Sequence, residues 1–96
     1  NVYPAEVENT LFALDGVADG AIVGAPDERW GEVGVAFVVV APDATLSEDD
    51  VILHFQGKVG RFKIPSRVVF IDELPRNATG KVLKRTLRDQ FGDVLL

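Results

Sequence analysis

Apolar residues recur at helical spacing in "NVYPAEVENTLFAL", at Val7, Leu11 and Leu14, so the chain is expected to open on a helix. Pro4 suits a first-turn position, and Glu6 and Glu8 favour the positive helix end. "DGVADG" carries turn chemistry, "AIVGAP" reads as a short strand ending in a turn, and "DERWGE" as a loop. "VGVAFVVVA" is an almost unbroken apolar run, the pattern of a long buried strand rich in β-branched residues. "PDATLS" interrupts the chain, and Ser47 with Asp50 forms a capping-box pattern ahead of a helix that presents Val51, Phe55 and Val59. "GRFKIPSR" is a loop, "VVFID" a third strand and "ELPRNATG" a second long loop. The last helix shows Leu83, Leu87 and Phe91 on one face, with Lys84, Arg85 and Arg88 mostly elsewhere. The order α-β-β-α-β-α predicts an α+β fold, a small three-stranded sheet flanked by helices, over residues 1–96.

Composition narrows the partners. Ninety-six residues, 47% hydrophobic and 26% charged, fit one globular domain with a single modest core. No apolar run has membrane-span length, and nothing at the start resembles a signal peptide. With no cysteine there is no disulfide framework and no thiolate metal site, which fits a reducing, cytoplasmic setting. The "NAT" sequon at Asn77 is then incidental. Helix signals within the first few residues suggest a piece of something longer.

The net charge of −5 argues against nucleic acid as a partner. Yet nine of the ten basic residues lie between Lys58 and Arg88, among only two acids, Asp72 and Glu73. That asymmetry points to one anion met at one place.

Lys81 stands out within this basic third. It follows Gly80 where the last helical pattern begins, and a cation near a helix N-terminus is mildly unfavourable for folding. "GK" alone is not a P-loop, because the earlier glycine is absent and Val82 replaces the required Ser or Thr. What remains is either a solvated lysine or a cation beside helix-start amides, suited to an oxyanion or phosphate. Trp30, in a charged loop, could cap the sheet or offer a stacking face. Phe62 beside Lys63 could be a lid on the core or an aromatic face joined to a phosphate-binding cation. His54 has no metal-ligand partner at a usable spacing, and "SEDD" is a helix start, so no metal site is expected. No nucleophile–base set is present either, so any chemistry must be completed by another domain.

Together, "IVGAPDERWGE" and "FKIPSRVVFIDELPRNATGKVLKRTLR", with Pro65, Leu74, Pro75, Gly80, Lys81 and Arg85 in register, resemble the C-terminal domain of the adenylate-forming superfamily. This family comprises acyl-CoA synthetases, luciferase-like enzymes and peptide-synthetase adenylation domains. The resemblance implies a mobile domain of a larger ligase that converts a carboxylate to acyl-adenylate with ATP, then transfers the acyl group to coenzyme A. It implies that ATP and magnesium are held mainly by the enzyme's own N-terminal domain. It places Lys81, with Gly80 beside it, against the substrate carboxylate and the α-phosphate of ATP. It places Trp30 and Phe62 around the adenine of coenzyme A, with Lys63 or Arg61 near its phosphates, although Ile64 offers no charge where some relatives carry one. The alternatives are an adenylation domain that loads a phosphopantetheine carrier protein and a non-catalytic ferredoxin-like binding module. The chain by itself is expected to fold and to lack ligase activity.

Overall fold

The computed structural model describes residues 5–27 and 31–91. In chain order these form α1 (Ala5–Phe12), β1 (Val17–Asp27), β2 (Gly31–Val40), α2 (Glu48–Phe55), a 3₁₀ turn (Arg61–Lys63), β3 (Arg67–Phe70) and α3 (Lys84–Gln90). The predicted α-β-β-α-β-α order is present. No described helix is long and apolar enough to cross a membrane.

The sheet runs β1-β2-β3, with β2 antiparallel to β1 and parallel to β3. A parallel pair needs a crossover, and α2 supplies it. β2 is the central strand, and alternation along it sorts side chains to two faces. Val35 and Phe37 join Ala21, Val23, Leu74 and Leu87 on the face covered by α3. Ala36 and Val38 join Ile22, Val7, Leu11, Val51 and Phe55 on the face covered by α1 and α2. This two-sided burial is why the β2 sequence is an unbroken apolar run. Burying each large side chain such as Phe37 or Phe55 contributes roughly 1.5–3 kcal/mol.

α2 starts on the expected capping box. Ser47 Oγ accepts from the Asp50 amide at 3.1 Å, and Asp50 Oδ2 accepts from the Ser47 amide at 2.9 Å. Val59 lies beyond the end of α2 but still packs on the core below it.

β1 departs from the sequence reading. It begins at Val17, inside the stretch read as turn, because Val17 pairs with Val40 and Gly20 with Val38, with an irregularity between Val17 and Asp19. Only Gly16 in that stretch takes a left-handed φ, of 97°. At the other end Asp27 pairs with Gly31, so the two ends of the "DERWGE" stretch belong to β1 and β2. Trp30 lies outside the described residues, as do Tyr3 and Pro4.

β1 is an edge strand, and side chains cover its outward backbone groups. The Gly20 amide donates to Asp19 Oδ1 at 2.9 Å and the Ile22 amide to Glu8 Oε2 at 2.9 Å. Arg88 Nε donates to the Gly24 carbonyl at 3.1 Å. On the opposite edge the Val68 amide of β3 donates to Glu48 Oε2 at 2.9 Å. Charged caps of this kind block edge-to-edge pairing with other chains.

Candidate functional site

The last basic segment folds differently from its sequence pattern. α3 begins at Lys84, not at Lys81, and Leu83 is its N-cap residue without a side-chain cap bond. The preceding stretch is a tight hairpin in which Arg76 bridges Val82. The Asn77 amide donates to the Lys81 carbonyl at 3.0 Å, and the Gly80 amide to the Asn77 carbonyl at 3.0 Å. Asn77 Oδ1 accepts from the Thr79 amide at 3.0 Å, the Thr79 hydroxyl at 2.7 Å and the Lys81 amide at 3.0 Å. The Leu83 amide is held by the Pro75 carbonyl at 2.8 Å. The Lys81 carbonyl, which a helix starting at that residue would offer to the Arg85 amide, is taken by the Asn77 amide instead, and the helix starts at Lys84. The expected alignment of Lys81 with helix-start amides is therefore corrected: the lysine stands near the tip of a hairpin.

Gly80 makes that tip possible. Its φ is +87°, a conformation that costs a side-chain-bearing residue about 1–2 kcal/mol. No atom would lie within 4 Å of a Cβ there, so backbone conformation and not crowding selects glycine.

The Lys81 side chain is exposed and has no ion-pair partner among the described residues. It lines an open groove with Glu8, Asn77, Lys84, Arg85 and Thr86. Glu8 and Lys84 neutralise each other across 3.1 Å. Lys81 and Arg85 remain as positive charge without a described carboxylate partner. Such a groove attracts an anion and can brace it from two directions.

The second set of candidates sits elsewhere. Arg61, Phe62 and Lys63 form the 3₁₀ turn after α2, in the stretch read as loop. Phe62 is 82% exposed, which rules out its role as a lid on the core. Arg61 is exposed. Lys63 Nζ bonds Glu6 Oε1 at 2.9 Å, so its charge is partly spent on α1. Glu6 and Glu8 are two residues apart on that helix and cannot face the same way. One carboxylate thus meets Lys63 and the other Lys84. The structure keeps the Phe62 turn and the Lys81 groove on different flanks of α1.

Sequence reasoning missed the residues that hold the Lys81 hairpin. Asn77 was legible as turn chemistry, because its amide oxygen readily accepts from backbone two residues on. Arg76 carried no local signal. Its Nη2 donates to both carboxylate oxygens of Asp19, at 2.8 and 2.6 Å, and its Nη1 donates to the Gly80 carbonyl at 2.6 Å.

Comparison with known proteins agrees with this fold. Residues 6–81 match the AMP-binding enzyme C-terminal domain family, and the chain belongs to it. It is 57% identical over 90 residues to a 3-[(3aS,4S,7aS)-7a-methyl-1,5-dioxo-octahydro-1H-inden-4-yl]propanoyl:CoA ligase of Rhodococcus jostii, covering 94% of this chain and 18% of that protein. It is 53% identical over 91 residues to the fatty acid–[acyl-carrier-protein] ligase ScoC of Streptomyces coeruleorubidus, covering 95% and 18%. Among solved structures, ATP-bound MatB from Rhodopseudomonas palustris superposes with a TM-score of 0.90 at 40% identity, over 100% of this chain and 19% of that one. The chain spans about a fifth of the length of the relatives it matches.

Proposed function

We propose that residues 1–96 are the mobile C-terminal domain of a larger acyl-CoA synthetase, an acid–thiol ligase that spends ATP on a carboxylate. The observation that supports this most is Lys81: an exposed cation on a braced hairpin tip, in a cationic groove, within a chain of the adenylate-forming family. In the first half-reaction a carboxylate oxygen attacks the α-phosphorus of ATP, forming acyl-adenylate and releasing pyrophosphate. In the second, a thiol sulfur attacks the acyl carbon, giving a thioester and AMP. Two anions must approach each other in the first step. A lysine set between them is worth most as charge redistributes in the transition state. Its role is electrostatic and positional, with no proton to accept. ATP and its magnesium would be held mainly by the large N-terminal domain, this domain's principal partner.

The Phe62 turn is assigned to the second half-reaction. An exposed aromatic face beside Arg61 and Lys63 suits the adenine and phosphates of coenzyme A, with Trp30 as its proposed companion. Because this turn and Lys81 lie on different flanks of α1, the domain must reorient between steps to present each to one active centre. The proposed setting is cytoplasmic.

The likeness to ScoC supports a second reading, in which the thiol is the phosphopantetheine arm of a carrier protein. AMP release by the full-length protein, with coenzyme A and a phosphopantetheinylated carrier protein compared as acceptors, separates the two. Coenzyme A is expected to be the better acceptor. Turnover with the carrier protein only would replace the proposal.

A further inference from the structure

We infer that Arg76 and Asp19 form a positioning device that fixes the Lys81 hairpin to the sheet. The inference rests on the reading of Lys81 given above. The two residues are 57 positions apart, one at the start of the edge strand β1 and the other in the long loop before α3. Asp19 is itself anchored, since its Oδ1 also accepts the Gly20 amide at 2.9 Å. The Arg76 guanidinium then divides its donors, Nη2 to the Asp19 carboxylate and Nη1 to the Gly80 carbonyl at 2.6 Å. Gly80 is the residue immediately before Lys81, so a planar cation links the strand directly to the peptide that carries the lysine.

The hairpin needs such a link. Residues 76–81 are exposed, and the turn's remaining hydrogen bonds, centred on Asn77, are internal to it. Those bonds fix its shape without tying it to the sheet. Leu74, buried, holds the segment before it, and Leu87 holds the helix after it. Between these anchors Val82 packs against the core, and the Asp19–Arg76–Gly80 chain is the side-chain hydrogen-bonded connection from the hairpin to the sheet among the described residues. Lysine could replace the arginine only in part, because one ammonium offers a point charge where two donors in fixed divergence are used.

An electrostatic catalyst depends steeply on placement, and a misplacement of about 1 Å can cost on the order of 100-fold. The test uses the full-length protein and both half-reactions: ATP–pyrophosphate exchange, and thioester formation from a supplied acyl-adenylate. Arg76→Ala is expected to lower exchange about 10- to 100-fold, and Arg76→Lys to restore it only in part. Thioester formation should stay within about threefold of the parent. In a Lys81→Ala background, Arg76→Ala should change the residual exchange by less than about twofold, because a residue acting through Lys81 has nothing left to act on.

Equal losses from Arg76→Ala in the two backgrounds, or none in the parent, would overturn the inference. So would a variant that melts early and loses both half-reactions. Asp19→Asn is measured beside it, since it removes the charge without leaving a buried cavity, and it should reproduce the exchange defect more mildly. If Lys81→Ala itself leaves exchange intact, the reading of Lys81 fails first, and that result is separable from a failure of Arg76.

Discussion

Glu8 and Lys84 meet across the edge of β1 at 3.1 Å, and the same Glu8 oxygen accepts the Ile22 amide at 2.9 Å. One carboxylate therefore joins α1, the edge strand and the first residue of α3. The two bonds differ in worth. The ion pair is partly exposed, and pairs of that kind contribute about 0–1 kcal/mol. Loss of the acceptor leaves a partly buried amide unsatisfied, at about 1–3 kcal/mol.

Glu8→Ala should accordingly destabilise the domain by about 1–3 kcal/mol in urea melts, and Lys84→Ala by less than about 1 kcal/mol. Glu8→Gln should fall between them, since its amide oxygen can still accept from Ile22. Equal costs for Glu8→Ala and Lys84→Ala would mean that the ion pair, not the amide bond, carries the effect.

Gly20 is a second structural test. A Cβ at that position would stand 2.6 Å from Leu11 Cδ2 and 3.2 Å from the Phe37 carbonyl oxygen. Leu11 is fully buried, so it cannot swing into solvent. Gly20→Ala should cost about 1–3 kcal/mol through overpacking. Shortening the neighbour with Leu11→Val should recover part of that loss, giving a clear non-additive pair. A neutral Gly20→Ala would show that α1 sits farther from β1 than described.

Phe62 tests the nucleotide surface. At 82% exposure its removal should leave the melting curve nearly unchanged, within about 0.5 kcal/mol. If the ring stacks on adenine, Phe62→Ala should raise the apparent KM for coenzyme A by an amount equivalent to about 1–3 kcal/mol. Pyrophosphate exchange should not move. An unchanged KM would remove Phe62 from the site, and an early melt would return it to a packing role.

Much of this architecture was legible from local pattern. The unbroken apolar run of β2, the Ser47–Asp50 box and the spacing of Val7 with Leu11 each follow from residues a few positions apart. What failed was decided by distant groups. "DGVADG" has turn composition, and Asp15 and Gly16 do form a turn, yet pairing with Val38 and Val40 recruits its last four residues into β1. Lys81 sits in a helical pattern, yet the Asn77 amide takes the Lys81 carbonyl into a hairpin, and the helix waits until Lys84. The bond between Arg76 and Asp19 had no signature, because nothing in either neighbourhood names a partner 57 residues away. The basic cluster was visible as an anion site; the division of its charges was not. Lys63 and Lys84 are paired with Glu6 and Glu8, while Lys81 lacks a described ion-pair partner.

The central claim is that Lys81 serves adenylate formation and not thioester formation. Its most direct test is Lys81→Ala in the full-length protein, with the two half-reactions measured separately. Losing one preorganised charge contact should lower ATP–pyrophosphate exchange about 100- to 1000-fold, equivalent to roughly 3–4 kcal/mol. Thioester formation from supplied acyl-adenylate should remain within a few-fold of the parent. A parallel fall in both half-reactions, or undiminished exchange, would contradict the account.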